Sequence, residues 1–232
     1  MLGYIMRNFI IVGHRAVTYP PFSLNDLPGT GGRVDILARS INAAFLLSHG
    51  IREDVEVTTV LLGPEDPPKN IRFIGTELKY LNPDERSTGA LIRNALIKFY
   101  NLKTNPEKKQ FERSVIQNDI LGNELRSSPG VYISNSGFEE ILRFYNGRSL
   151  PVCLIENGSE FSKLAEELEN NNKKDLTFIL SDDKDFTPDE EDLINKHSKF
   201  SLSLGPITLH TDHCIILMHN ILDNLEIKNI KP

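Results

Sequence analysis

Short apolar runs of strand length alternate along this chain with amphipathic stretches of helix length, and that alternation admits few folds other than an α/β sheet with helices on its faces. Asn8–Val12 is the first such run. Val55–Leu62, Ile71–Ile74, Val131–Ser134, Leu150–Ile155, Leu176–Leu180 and Phe200–Leu204 follow. Between the first two, Val34, Leu37, Ile41, Ala44 and Phe45 recur at helical spacing from Arg33 to His49, where Gly50 supplies a stop. Pro83–Ser87 opens a second helix, with Ala90, Leu91, Ala95, Leu96 and Phe99 toward the core and its carboxylates at the N-terminus, as the helix dipole prefers. Gly137–Tyr145, Glu160–Leu168, Asp189–Lys196 and about Ile207–Leu225 read as the remaining helices. Thr187 and Glu190 have the spacing of a capping box. The polar, weakly periodic stretch Asn101–Ser128 reads as a peripheral helix with flexible flanks, an insertion and not a second domain. The alternation of strands with helices predicts a mainly parallel sheet covered on both faces.

Composition narrows the class of protein. A chain of 232 residues, 39% hydrophobic, can bury one sizeable α/β core. Its net charge of −6 argues against a protein that coats nucleic acid nonspecifically, DNA included, yet leaves room for a local basic patch and an RNA substrate. Cys153 and Cys214 lie far apart without a C-x-x-C pattern, so no disulfide framework or zinc knot is expected, and a reducing compartment, the cytoplasm, fits. No apolar stretch approaches the roughly 18 residues of a membrane span, and Arg7 and Asn8 interrupt the N-terminal run that a signal peptide would need. Residues 1–5 are assigned no function.

Three strand ends, near Ile155, Leu180 and Leu204, each lead into a polar or glycine-containing loop. Ligands of open α/β sheets bind outside the carboxyl ends of strands. The third end is the most telling: Gly205 allows backbone to approach a ligand closely and Pro206 is pre-set for a first helical turn, whose free N–H groups suit a nucleotide-like cofactor. Gly29-Thr-Gly-Gly32 lacks the spacing and the Lys-Ser/Thr of phosphate loops and reads as a loop before a helix. Arg33, Asp35 and Arg39 open that helix, either as a solvated i,i+4 ion pair or as a contact site. Asp84 and Glu85 read as helix-start carboxylates. His210 and Cys214 share a helical face but His213 and His219 diverge from it, so no metal site is expected. Cys153 reads as a core residue and Cys214 as a packed thiol, neither a nucleophile. Ile215, Ile216, Leu217, Ile221 and Leu222 exceed what one core face needs, which predicts a helix that also packs on a partner subunit.

Three motifs, in this order, carry a family likeness: Asn25-Asp-Leu-Pro-Gly-Thr-Gly-Gly-Arg-Val-Asp-Ile-Leu-Ala-Arg39, Pro83-Asp-Glu-Arg-Ser87 and Ser203-Leu-Gly-Pro-Ile-Thr-Leu-His-Thr-Asp-His-Cys214. From about Met6 to Asp223 the chain resembles the archaeal tRNA pseudouridine-54 N1-methyltransferases of the SPOUT class. The resemblance implies one domain over residues 6–232 with a variable insertion at about 101–128. It also implies a parallel α/β sheet whose C-terminal part is threaded into a trefoil knot. S-adenosylmethionine is then the cofactor, held by Leu154, Leu180, Ser181, Ser203, Leu204, Gly205, Pro206, Ile207, Thr208, Leu209 and Cys214. Ser181 departs from the glycine common there, and its Cβ narrows backbone approach. Arg33, Arg39 and Arg86 would contact tRNA, and Asp35 would position the target base or accept the proton of its ring N–H. The family is homodimeric, with RNA bound across the dimer. Rival readings are a pseudouridine N1-methyltransferase acting on ribosomal RNA, a non-catalytic RNA-binding assembly factor, and a Rossmann-type nucleotide module.

Overall fold

The computed structural model describes residues 5–104, 116–119, 122–170, 175–198 and 200–230. Its elements in chain order are β1 (Arg7–Gly13), α1 (Val34–Phe45), the two-residue strands β2 (Leu46–Leu47) and β3 (Gly50–Ile51), β4 (Val55–Leu61), β5 (Lys69–Ile74), α2 (Glu85–Thr104), β6 (Ile116–Asp119), β7 (Gly122–Ser128), β8 (Val131–Ser134), α3 (Phe138–Asn146), β9 (Leu150–Ser159), α4 (Phe161–Asn170), β10 (Leu176–Ser181), α5 (Pro188–His197), β11 (Phe200–Leu202) and α6 (Thr211–Ile230). Nine strands form one sheet in the order β11-β9-β10-β1-β4-β5-β8-β7-β6. Its first five strands are parallel to one another, and the pairings from β4 outward to β6 are antiparallel.

β1 is buried over all seven residues because both faces of the sheet are covered. Phe9 and Ile11 point into a core shared with α1, α2, α4 and α6, whereas Ile10 and Val12 point the other way, into a core shared with α3 and α5. The period-2 alternation of a strand thus feeds two hydrophobic layers from one continuous apolar run. At the start of β1 the buried Arg7 guanidinium donates from Nη1 to Asp223 Oδ1 at 2.6 Å and lies 3.2 Å from His219 Nδ1, tying the last helix to the central strand. At α5 the predicted capping box forms, Glu190 N donating to Thr187 Oγ1 at 3.4 Å and Thr187 N to Glu190 Oε2 at 2.8 Å.

Four stretches differ from the sequence reading by more than two residues, one of them β9, which runs on to Ser159 past the expected end at Ile155. The stretch read as a peripheral helix is instead the end of α2, as far as Thr104, and the β6–β7 hairpin that extends the sheet; residues 105–115 and 120–121 lie outside the described residues. Charge hid the strand: Glu124 of β7 is 1% exposed because Arg72 of β5, 3% exposed, donates to it from Nε at 3.1 Å and Nη2 at 2.5 Å. A buried ion pair reads as surface polarity when only one partner is in view. The first helix stops at Phe45, four residues before His49, because Leu46 is already extended and pairs with Ile51 in a small hairpin. The last helix starts at Thr211 and not at about Ile207, which leaves residues 203–210 as an irregular loop. Among the described residues no helix is long and apolar enough to cross a membrane.

Candidate active site

The carboxyl ends of β9, β10 and β11 lie side by side, and the chain that leaves them walls a cleft of about 550 Å³. Its floor is apolar, from Leu154, Leu180, Leu202, Leu204 and Leu209. Backbone contacts fix the walls. Ser203 N donates to Ser159 O at 3.0 Å, and Thr211 Oγ1 donates to Ser181 O at 2.7 Å, pinning the start of α6 on the end of β10. Gly158 lets β9 and β11 meet, since an added Cβ would stand 2.4 Å from the Leu202 carbonyl carbon. Gly205 turns the loop at φ 133°, and a Cβ placed there would find no atom within 4 Å. Gly205 is one of the residues that line the cleft, and the space beside its Cα is open.

The opposite wall comes from α1, which reaches the cleft because β1 lies next to β10. Arg33 precedes the helix at φ 70°, an unusual conformation for a non-glycine residue. Its guanidinium grips Asp35 with two hydrogen bonds, Nε to Oδ1 at 3.1 Å and Nη2 to Oδ2 at 3.2 Å, and reaches across the cleft from Nη1 to Asp183 Oδ2 at 2.7 Å. Arg15 also pairs with Asp183. Arg39 donates from Nη1 to Asp35 Oδ2 at 3.0 Å and stands 3.8 Å from Asp212 on α6. Burial pulls the Asp35 carboxyl up, but the guanidiniums of Arg33 and Arg39 outweigh it and hold the group below the usual carboxylate range. Asp35 therefore stays ionised as the anchor of two arginines.

Of the sequence-predicted cofactor residues, Leu154, Leu180, Ser181, Ser203, Leu204, Gly205, Ile207, Thr208, Leu209 and Cys214 line this one cleft, and Arg33 and Arg39 line it from the far side. Pro206, Asp35 and Arg86 are not part of its lining. Arg86 is exposed on the first turn of α2, and Asp84 caps that helix by accepting from Ser87 N at 2.7 Å. Burial, with Glu156 and Asp212 nearby, pushes the Cys214 thiol up to about 11, and burial raises Cys153 to about 12, so both stay protonated packing groups. His219 is turned away, its Nε2 3.0 Å from Ala44 O, and among the described residues no group of three His, Cys, Asp or Glu side chains is arranged to hold a metal ion. Sequence reasoning missed the polar part of the wall: Glu156 and Asn157 at the end of β9 and the run from Asp182 to Asp185 after β10. Their position just past a buried strand was the available signal.

A family model described as "Putative SAM-dependent RNA methyltransferase" matches residues 6–227. The tRNA (pseudouridine(54)-N(1))-methyltransferase of Methanosarcina mazei is 42% identical over 221 residues, covering 95% of this chain and 92% of its own. The enzyme of the same name from Methanococcoides burtonii is 44% identical over 220 residues, covering 94% and 96%. Among solved structures, Archaeoglobus fulgidus Nep1 bound to S-adenosylhomocysteine superposes with a TM-score of 0.57 over 96% of this chain and 99% of that one, at 13% identity. That likeness shows the fold, an α/β sheet with helices on its faces.

Proposed function

The chain belongs to the SAM-dependent RNA methyltransferase family, and from that premise we propose that it methylates N1 of pseudouridine 54 in tRNA, with S-adenosylmethionine as methyl donor. The observation that carries the reading is the cleft at the ends of β9, β10 and β11, closed by the Gly205 turn on one side and by two arginines on the other.

The cleft fits the donor. Its volume suits a ligand of that size, its leucine floor offers apolar surface to a purine ring, and the open space at Gly205 is a cradle that any side chain would fill. S-adenosylmethionine supplies an electrophilic methyl on a sulfonium, so the chain has only to align a ring nitrogen with it and let that nitrogen's proton depart. Arg33 and Arg39 are placed to take the phosphates flanking the target nucleotide, an interaction their planar guanidiniums make bidentately. Asp35 is a poor proton acceptor, because a carboxylate held below its ordinary range gives proton transfer little driving force. It acts as a positioning residue that fixes both arginines, and the N1 proton leaves to water.

Methyl transfer from labelled S-adenosylmethionine to tRNA carrying either pseudouridine or uridine at position 54 tests the reading. Label is expected only with pseudouridine. Equal labelling of uridine, or labelling only of ribosomal pseudouridine, would overturn it.

The reading extends to a homodimer with RNA bound across it. On α6, Ile215, Met218 and Leu222 are buried in the core, while Ile216 and Leu217 of the same helix are 52% and 38% exposed. A second copy covering the exposed pair accounts for an apolar stripe wider than the core requires. Light scattering is expected to show a dimer that Ile216→Glu reduces to a monomer; a wild-type monomer would refute this. We propose a cytoplasmic location, which a tRNA substrate supports.

A further inference from the structure

Both ring nitrogens of His14, the residue just past β1, face carboxylates. Nδ1 lies 2.7 Å from Asp182 Oδ1, and Nε2 lies 3.1 Å from Glu190 Oε2. A carboxylate can only accept, so a neutral ring with its single N–H satisfies one of them and turns a lone pair toward the other. An imidazolium satisfies both. The backbone completes the joint: His14 N donates to Asp182 Oδ2 at 2.8 Å, and Asp182 N donates to Val12 O at 2.9 Å. The Asp182 side chain is 1% exposed, so its charge is not left to water. On the far side, Glu190 Oε2 also accepts from Thr187 N at 2.8 Å and Thr187 Oγ1 at 2.9 Å, which fixes the start of α5. The loop strung between these anchors, residues 182–186, is a wall of the cleft.

We propose that His14, in its imidazolium form, is a positioning residue of the cofactor site: it clamps the 182–186 wall between β1 and α5, and the cleft loses affinity when the ring gives up a proton. The proposal rests on the reading that this cleft takes S-adenosylmethionine. The charged groups that bear on the ring are Asp182, from the loop after β10, and Glu190, from α5; Arg15, next in the chain, is paired with Asp183. The hydrogen bond to Asp182 raises the pKa of His14 above 6.5, burial works against it, and Glu190 adds to the rise. The clamp is therefore complete below that value and is lost as pH climbs through the elevated one.

The test is calorimetry with S-adenosylhomocysteine, from about pH 6 to about pH 9, on the wild type and His14→Gln. Gln offers one donor and one acceptor at any pH, as the neutral ring does. The ligand's own amino group, which titrates toward the alkaline end of this range, affects both proteins alike, so the ratio of their affinities isolates the ring. Wild type should bind about tenfold more tightly at the acid end, the coupling carried by one pKa unit, and the two should converge at the alkaline end. A ratio that stays constant with pH, as a purely structural role gives, would overturn the proposal. Should His14→Gln fail to fold, the wild type alone decides by reciprocity: ligand must raise the pKa of His14 read from its imidazole NMR signals, and an unmoved pKa overturns the clamp. Absence of ligand binding at every pH would instead sink the cofactor reading itself, and the proposal with it.

Discussion

Gly205→Val probes the point on which the site depends. The backbone at Gly205 has φ 133°, a region that L side chains rarely adopt, and valine's branched Cβ makes it among the poorest occupants. Holding any non-glycine residue there costs about 1–3 kcal/mol, which lowers stability without abolishing the fold, since nothing lies within 4 Å of the new Cβ. The larger effect falls on the ligand. The isopropyl group occupies cleft space, and drug-sized ligands bind with about 0.3 kcal/mol per non-hydrogen atom, so displacing four to six atoms' worth of contact loses about 1–2 kcal/mol. In dissociation constant that is about five- to thirtyfold. Gly205→Ala keeps most of the backbone strain but adds a single methyl, so it separates strain from obstruction: its melting temperature should fall somewhat less than that of valine while its affinity stays nearer the wild type. Calorimetry with S-adenosylmethionine and S-adenosylhomocysteine, alongside thermal unfolding, reads both quantities. Affinity within twofold of wild type in the valine variant would show that the turn does not border the ligand, and the placement of the cofactor would fall with it.

Asp35→Asn loosens Arg33 and Arg39 on one wall of the cleft while leaving the leucine floor and the Gly205 turn in place; kcat on pseudouridine-containing tRNA should drop by about a hundredfold and cofactor Kd should rise by less than about threefold. Full turnover in that variant would remove Asp35 from the mechanism. Arg72→Ala strands two carboxylates, Glu124 inside the fold and Glu56 beside it, and should cost about 3–5 kcal/mol in urea unfolding; a loss below about 1 kcal/mol would mean that the pair is not buried in solution. His219 is held near a pKa of about 3 by burial, helped by Arg52 and Arg7, whereas the unfolded chain binds that proton at 6.5. Unfolding therefore takes up a proton across that window, and stability should fall as pH drops, by up to about 1.4 kcal/mol per unit. His219→Leu should flatten this slope, and an unchanged slope would place a charged ring inside the fold.

The parallel half of the sheet was legible because its strands are apolar on both faces and announce themselves without partners. Phe9 to Val12 needs no context to be read as buried. The β6–β7 hairpin was not legible, because Glu124 looks solvated until Arg72, 52 residues away in sequence, is set against it. Periodicity also overran α1, since Leu46 and Leu47 continue the apolar pattern while the backbone has already turned extended. Ten of the eleven positions that the family resemblance assigned to the cofactor line one cleft, the one at the strand ends and glycine-bearing turn that the sequence itself singles out.

What no local signal could supply is the company those residues keep. Periodicity locates strands but not their order, and it is the order β10-β1-β4 that brings the end of β1 and the start of α1 against the loop after β10. His14 meets Asp182 across 168 positions and Arg33 meets Asp183 across 150. Of the two readings left open by the sequence, the Asp35–Arg39 ion pair forms, but it is not a solvated one: Asp35 is buried and Arg39 lines the cleft, while the contact role belongs to the proposal. The consequence bears on RNA binding. Net charge says little about affinity for a phosphate, because Arg33 already holds two carboxylates. A phosphate that recruits it must displace Asp183 from Nη1, while Asp35 keeps Nε and Nη2 and so keeps the guanidinium in plane. On the proposed role of Arg33, docking of RNA on this wall would be an exchange of anions at a fixed cation, which costs less reorganisation than ordering a free arginine and leaves Asp183 to Arg15.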